Sequence, residues 1–317
     1  MNNISELLGP GIRTCGIAGH VNPDGDCVGS CTALYLYLRR NVPEIRVDLY
    51  LEQPKPVFAL LEGVGDARQV PEEGMVYDLF ITCDVSEENR IGVAGGLFRA
   101  ARMRAVIDHH VTNPGFGDVN HVEPEASSCA EVLTGLLDME RIDRSCASLL
   151  YSGMIHDSGV FQYRNTTPRT LHLAAQLMEK GVDFSSIIDR TFNQRTYTQN
   201  RVLGHALETS RLSEDGRCVW SVVTEADMAA FGATCRDLDM IVSQLRYTAG
   251  TDAAVFLYET APGVFKVSLR SGPSLNVAEV AGVFGGGGHV QAAGCTLKGE
   301  PDDVIGRVLG VIREKLP

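Results

Sequence analysis

The sequence predicts an α/β protein in two parts: an N-terminal domain with a mostly parallel sheet flanked by helices, a helical linker, and a smaller C-terminal α/β domain with a mixed sheet. Three observations predict it. Three apolar stretches in the first half run straight into His or Asp, as buried parallel strands do when their carboxyl ends meet at one edge. Segments with helical spacing of apolar residues lie after these strands. Beyond about residue 213 the pattern changes to strands, two of which pair across Pro262-Gly263. At 317 residues the chain is long for one core and comfortable for two. The boundaries expected are 1–190 for the first domain, 191–213 for the linker and 214–317 for the second domain.

Thr14-Cys15-Gly16-Ile17-Ala18 reads as the first buried strand, with His20 at its carboxyl end after Gly19. Pro23 and Gly25 make the backbone irregular, and a helix follows from about Val28 to Arg40. Val47 to Leu51 is the second strand and Pro54 and Pro56 mark a loop. The third strand, Leu79 to Cys83, ends in Asp84; the fourth, Met103 to Ile107, ends in Asp108-His109-His110. Helices are expected at Ala130 to Leu137 and Cys146 to Ile155, the second ending at His156-Asp157-Ser158-Gly159. A carboxylate at a helix C-terminus is disfavoured by the macrodipole, so Asp157 points to a bound cation. Phe161 to Pro168 is a polar loop, and Pro168 opens the helix carrying Leu171, Ala174, Leu177 and Met178. From Thr191 to Arg211 the pattern is polar and helical. Strands at Cys218 to Val223, Ala253 to Tyr258 and Val264 to Leu269, a helix from Val277 to Phe284 and the run Gly285-Gly286-Gly287-Gly288-His289 complete the reading.

Composition narrows the function classes. Hydrophobic residues make up 44% and charged residues 21%, as in a soluble globular enzyme. No apolar run is long enough for a bilayer, and Met1-Asn2-Asn3-Ile4 lacks the basic start of a secretory signal, so a cytoplasmic location is expected. The nine cysteines are scattered, with no Cys-x-x-Cys pair, which fits packed thiols in a reducing compartment. A net charge of −12 argues against a long polyanion bound along a basic face, whereas a small anion held by metal ions is allowed.

His20, Asp24, Asp26, Asp84, His109 and Asp157 form one candidate set. Four carboxylates at a sheet edge repel one another unless cations lie among them. Imidazole with carboxylates and no thiolate suits two Mn²⁺ best, with Mg²⁺, Co²⁺ or Zn²⁺ as alternatives. A carboxylate bridging two such ions is the usual template for phosphoryl hydrolysis, with a water activated by the ions as nucleophile. The glycine run lets backbone N–H groups approach an anion; His289 adds a donor, and Arg270-Ser271 offers a guanidinium fork for phosphate.

These residues resemble a known group. His-Val-Asn-Pro-Asp-Gly-Asp at 20–26, Asp84, Asp108-His109-His110 and Asp157-Ser158-Gly159 look like the four ordered motifs of the DHH phosphoesterase superfamily. Gly285 to His289, after Arg270-Ser271, looks like the signature of its associated C-terminal domain. The resemblance covers essentially the whole chain, and length and layout point to the branch of nanoRNases and pAp phosphatases. It implies His20, Asp24 and Asp84 on one Mn²⁺ and Asp26, Asp84, His109 and Asp157 on the other, with Asp84 bridging. It further implies Asp108 as an orienting partner and His110 facing the scissile phosphate. Arg270, Ser271, Gly286, Gly287, Gly288 and His289 would hold the remote end of the substrate, so that the gap between domains measures chain length. Ser158 stands where the family often has Thr.

The activity expected is Mn²⁺-dependent hydrolysis of dinucleotides or very short oligoribonucleotides to mononucleotides, and of 3'-phosphoadenosine 5'-phosphate (pAp) to AMP. A pyrophosphate or short polyphosphate hydrolase and a non-catalytic nucleotide sensor are the alternatives. Phe161 and Tyr163 read equally well as base-stacking or core residues. His121, His156, His172 and His205 are expected to be structural or surface residues, and the assembly a homodimer through the first domain.

Overall fold

A computed structural model describes residues 1–317. The chain divides into two compact units, Met1–Gln194 and Arg195–Pro317.

The first unit contains β1 (Thr14–Ala18), α1 (Gly25–Asn41), β2 (Arg46–Tyr50), β3 (Leu79–Cys83), α2 (Gly95–Ala100), β4 (Met103–Asp108), β5 (Val119–Val122), α3 (Cys129–Leu136), α4 (Arg144–Asp157), α5 (Pro168–Glu179) and α6 (Phe184–Ile187), the last continuing as a π-helix over Ile188–Asn193. Its five strands are all parallel in the order β2-β1-β3-β4-β5. The chain leaves β1 for one side and returns on the other at β3. The β1/β3 boundary is therefore the switch point at which open α/β sheets bind ligands.

The strands expected here are present, and the differences have local causes. The first helix begins at Gly25 rather than Val28, because Asp24 caps it with one carboxylate oxygen on the N–H groups of Asp26 and Cys27, 3.1 Å each. Strand β5 was not expected, since Val-Asn-His-Val is short, half-exposed and no apolar run. α1 is buried on every side from Gly25 to Leu38, wedged between the sheet and α4. The two helices approach through glycine: a Cβ on Gly29 would lie 2.5 Å from the Leu149 carbonyl oxygen, and one on Gly153 would lie 2.7 Å from Asp26 Oδ1. The close approach of α1 and α4 is thus also what leaves room for a carboxylate of the candidate site.

The second unit contains α7 (Tyr197–Glu208), β6 (Arg211–Leu212), β7 (Cys218–Val223), α8 (Glu225–Phe231), α9 (Ile241–Arg246), β8 (Ala253–Ala261), β9 (Val264–Ser271), α10 (Val277–Val283), β10 (Gly287–His289), β11 (Ala292–Lys298) and α11 (Pro301–Lys315). The stretch 191–211 is not one continuous helix: the π-helix ends at Asn193, and Thr196 caps a new helix, α7, whose Val202 and Ala206 are buried among Val219, Met228 and Phe256 of this unit. The sheet is mixed, in the order β10-β11-β9-β8-β7-β6, with only β7 and β8 parallel. α10 and α11 cover one face through Val280, Val304 and Val308 against Val255, Val267 and Leu269. On the other face β7 and β8 are covered, whereas β9 and β11 carry Lys266, Ser268, Arg270, Gly294 and Thr296.

Candidate metal centre

His20 follows β1 and Asp84 follows β3, so both stand at the switch point. Gly19 has no side chain because Cys27 Sγ would lie 2.2 Å from its Cβ. That sulfur instead accepts the backbone N–H of His20 at 3.3 Å. His20 Nδ1 is 2.8 Å from the carbonyl oxygen of Val21, which can only accept, so Nδ1 carries a proton and Nε2 is the nitrogen left to serve as a ligand once deprotonated. Nε2 faces Asp84 Oδ2 at 3.5 Å and Asp24 Oδ1 at 3.7 Å. Asn22, left-handed at φ 54°, bends the chain here and donates its N–H to Glu52 at 2.9 Å.

Asp26 is fully buried and sits on the first turn of α3, its oxygens accepting the N–H groups of Cys129 at 2.6 Å and Ala130 at 2.9 Å. The positive end of that helix favours a charged carboxylate. Asp84 is 2% exposed, left-handed at φ 59°, and its Oδ1 is buried without a hydrogen-bond partner. His109 directs Nδ1 to the Ala126 carbonyl, and its Nε2 faces Asp157 Oδ2 at 3.2 Å, Asp84 Oδ1 at 3.6 Å and Asp26 Oδ2 at 3.9 Å. His110 Nδ1 is bonded to Asp108 Oδ1 at 2.8 Å, and Asn113 donates to the other oxygen of Asp108 at 2.6 Å.

The electrostatics of this cluster are unbalanced by proximity. Burial opposes charge on His109, but Asp157, Asp84 and Asp26 outweigh it and push the imidazolium up to about 12. His20 is held well above the ordinary histidine range in the same way, against burial, by Asp24 and Asp84. Burial would raise Asp84, yet the facing imidazoles of His109 and His20 hold it low. Burial and the neighbouring carboxylates push Asp26 up, and burial lifts Asp157 to about 6 against the pull of His109.

These donors fit divalent ions. Two ligand atoms on one ion, each about 2.0–2.2 Å from it, stand roughly 3.0–3.5 Å apart, which is longer than a good hydrogen bond. The His109–Asp157 and His20–Asp84 separations of 3.2 and 3.5 Å fall within that spacing, those of His109 to Asp84 and Asp26 at 3.6 and 3.9 Å lie just above it, and the orphaned Asp84 Oδ1 has no hydrogen bond. Three groups bring ligand atoms within 4.8 Å of one another: His20, Cys27 and Asp84; Asp84, His109 and His110; and Asp26, His109 and Asp157. Cys27 is the weakest donor among them, because burial keeps its thiol protonated and its sulfur already accepts from His20.

The second candidate set lies on the sheet of the other unit. His289 is paired with Ala292 and Ala292 with Arg270, and directly opposed residues share a face, so His289 and Arg270 flank Ala292 on one face. Gly287 and Gly288 belong to strand β10 rather than to the open loop that a glycine run suggests. A Cβ on Gly286 would lie 2.2 Å from the Gly294 carbonyl oxygen, and one on Gly288, at φ 146°, would lie 2.5 Å from that of Ala292. Ser271 is fully buried and its hydroxyl donates to the Leu275 carbonyl at 2.7 Å, so it shapes the turn after β9.

Residues 14–154 match the DHH family, N-terminal domain, and residues 215–316 match the DHHA1 domain. The chain is 33% identical over 95% of its length to the bifunctional oligoribonuclease and PAP phosphatase NrnA of Thermus thermophilus, covering 89% of that protein. The chain belongs to the DHH family. The protein of the same name from Bacillus subtilis is 32% identical over 88% of this chain and 87% of its own. The fold of this DHH protein is also that of an exopolyphosphatase-related protein from Bacteroides fragilis, with a TM-score of 0.89 at 22% identity, covering 98% of this chain and 94% of the other.

Several residues of this DHH protein act on the site without having stood out in its sequence. Cys27 and Glu52 fix the turn around His20, Asn113 orients Asp108, and the α3 N-terminus holds Asp26. Only Asn113 had a readable signal, a polar residue three positions after His110. His156 is a packing residue: its ring stands edge-on to Phe58 and Phe192 and bonds Thr191 at 3.1 Å, and burial lowers its pKa to about 4. His121 and His205 pair with Glu123 and Asp227, and His172 is exposed. Phe161 packs on the first core through Tyr151, whereas Tyr163 is 43% exposed. No helix of the protein is long and apolar enough to cross a membrane.

Proposed function

We propose that this DHH hydrolase cleaves dinucleotides and very short oligoribonucleotides to mononucleotides, and pAp to AMP and phosphate, using two Mn²⁺. One observation carries the reading: the two oxygens of Asp84 face different imidazoles, Oδ2 toward His20 and Oδ1 toward His109, as a bridging carboxylate must. Bound there, the two ions supply Lewis-acid polarisation of the phosphoryl oxygen and a water acidic enough to attack at neutral pH.

The chain's own residues do the rest. His20, Asp24 and Asp84 hold one ion; Asp26, Asp84, His109 and Asp157 hold the other, and Asp24 is preferred to Cys27 because an oxygen donor suits Mn²⁺ and a protonated thiol does not. The Nδ1–H of His20 and His109 is fixed on backbone carbonyls, which presents Nε2 in the right tautomer. His110, held by Asp108 and raised in pKa by Asp108 and Asp84 against burial, offers a proton-bearing imidazole to a phosphate oxygen. Arg270 and His289 bind the substrate's remote anionic end, with the glycines giving backbone access. In each turnover one P–O ester bond breaks and one water adds, so pApA gives two AMP. The names of the Thermus and Bacillus relatives, each an oligoribonuclease and PAP phosphatase, support this substrate class.

The test is a product-resolved assay with Mn²⁺ in which 5'-pApA, a ribo-pentamer, pAp and pyrophosphate are offered at equal concentration, with Asp84→Ala as blank. AMP released from pApA or pAp, and lost in the variant, is the expected result. Turnover of pyrophosphate alone would replace this reading with an anhydride hydrolase. Nucleotide binding without turnover would replace it with a sensor.

A further inference from the structure

The segment after Asp157 is built at an unusual backbone cost. Gly159, Val160 and Phe161 are consecutive left-handed residues, with φ of 57°, 56° and 63°. L-residues avoid this region, and a β-branched one such as Val160 most of all. Such a conformation persists only where the surroundings dictate it. Ser158 supplies much of that: its hydroxyl donates to the Met154 carbonyl at 2.5 Å and accepts the Phe161 N–H at 3.0 Å, while its carbonyl accepts the N–H groups of Gln162 and Tyr163 at 2.9 Å each. The Tyr163 ring lies against Gly159, where a Cβ would stand 2.4 Å from it.

The reversal brings Asn165 back to the end of α4. A carboxamide nitrogen carries two hydrogens, and those of Asn165 Nδ2 reach two carbonyls from different elements, Ser127 at 2.9 Å and Asp157 at 3.1 Å. Both targets matter. The Asp157 carbonyl is one of those that the last turn of a helix leaves without an intrahelical partner. Ser127 immediately precedes the N-cap of α3, whose next two residues donate the N–H groups that hold Asp26. Ser127 is itself immobilised, since its N–H and hydroxyl both donate to buried Glu131 at 3.0 and 2.7 Å, and Thr170 of α5 donates to the same oxygen at 2.7 Å.

We infer that Asn165 is a positioning residue for the metal centre: it ties the helix end that presents Asp157 to the helix start that holds Asp26, and so sets the separation of two carboxylates without touching either. The strained turn exists to deliver it. The inference rests on the reading of Asp26 and Asp157 as metal ligands. Asn165 and Asp157 both lie beyond the 14–154 stretch that matches the DHH family, so the match itself assigns Asn165 no role.

The test is a Mn²⁺ titration of the metal-free, full-length protein by calorimetry or by loss of the free-ion electron paramagnetic resonance signal, for wild type, Asn165→Asp and Asn165→Ser. The aspartate keeps the shape but turns acceptor oxygens on two carbonyls; the serine keeps one donor. Asn165→Asp is expected to weaken Mn²⁺ binding roughly 10- to 100-fold, as loss of partners that orient metal ligands does, with Asn165→Ser intermediate. kcat on pApA should fall at limiting Mn²⁺ and recover at saturating Mn²⁺, with KM unchanged. Unaltered Mn²⁺ affinity in a folded Asn165→Asp protein, or a kcat loss that excess Mn²⁺ does not restore, would overturn the inference and leave the proposed function standing. If the aspartate variant does not fold, Asn165→Ser is judged by the same two criteria. A wild-type protein that binds no Mn²⁺ would instead remove the proposed function, and this inference with it.

Discussion

The metal centre and the glycine-lined sheet face of the DHHA1 domain are built by opposite means. In the first, charged side chains are buried at Asp26 and Asp84 and made tolerable by helix amides and facing imidazoles. In the second, side chains are left out, so that Gly286 and Gly288 let strand β10 press on β11 beside Arg270 and His289. The first site should fail when a charge or donor is lost, and the second when an atom is added.

The largest test of that contrast is Asp84→Asn. It should lower kcat/KM on the order of 10³-fold, since several kcal/mol of transition-state stabilisation pass through the carboxylate that faces both imidazoles. The metal-free protein should also lose melting temperature at neutral pH, because the carboxylate that His109 and His20 hold low is removed and both imidazoles lose that partner; an unchanged or raised metal-free melting temperature would break the comparison. Next comes Gly288→Ala. Its Cβ would meet the Ala292 carbonyl, and strain of about 1–3 kcal/mol should appear as a 10- to 100-fold rise in KM for pApA. Turnover of bis-p-nitrophenyl phosphate, which needs no remote contact, should be unchanged, and a parallel loss on that ester would show that the two sites are not separable. Gly153→Ala is the crossing case, because it adds an atom 2.7 Å from Asp26 Oδ1 and should damage the first site by the rule of the second. A smaller effect, about 10-fold on kcat, is expected for Asn113→Ala, which leaves Asp108 to orient His110 with one partner fewer.

The smallest effect distinguishes the units by pH. His109 is raised from 6.5 to about 12, so in the metal-free protein its contribution to stability is complete below pH 6.5 and is lost as the pH rises toward 12. Asp157, raised from 3.8 to about 6, has the same sign over the lower window. In the second unit Asp252 is lowered by the Ser274 hydroxyl and Arg217, and Asp227 by Thr224 and His205 against burial, so their contributions are present above 3.8 and are lost as the pH falls. Hydrogen exchange on the full metal-free chain should show protection of the first unit declining from pH 6 to 9, while that of the second does not. Mn²⁺ should reverse the first trend, because the ligands bind it only when deprotonated. Parallel slopes in the two units would contradict the assignment.

How much was legible depended on whether a partner was local. β3 runs over Leu79–Cys83 as its apolar run predicts, and the cap at Thr167 with Pro168 after it opens α5 where the sequence places it. The strand ends that bear His20, Asp84, Asp108 and His109 were readable for the same reason, as apolar runs that stop at a ligand type. β5 and β10 were not, because a short half-exposed strand and a glycine-rich one carry no alternation of apolar residues, and only the neighbouring strand makes them strands. The glycine run was read as backbone open to an anion; in the structure two of its four residues, Gly286 and Gly288, also stand where another backbone lies against them.

By itself the sequence determined the order of β1 to β4 and of the helices that follow them, the set of ligand-type residues and the point along each strand where they fall, since periodicity and strand termini are properties of consecutive residues. Only the tertiary structure decided what each of them is bonded to. Asp26 rests on amides 103 and 104 residues away, Asn165 bridges carbonyls 38 and 8 residues away, and Asp84 lies between imidazoles delivered by two other strands. Contacts across such separations leave no periodic mark on the chain. They exist because the parallel sheet returns each strand end to the same edge, where charge, helix ends and backbone donors must be satisfied together.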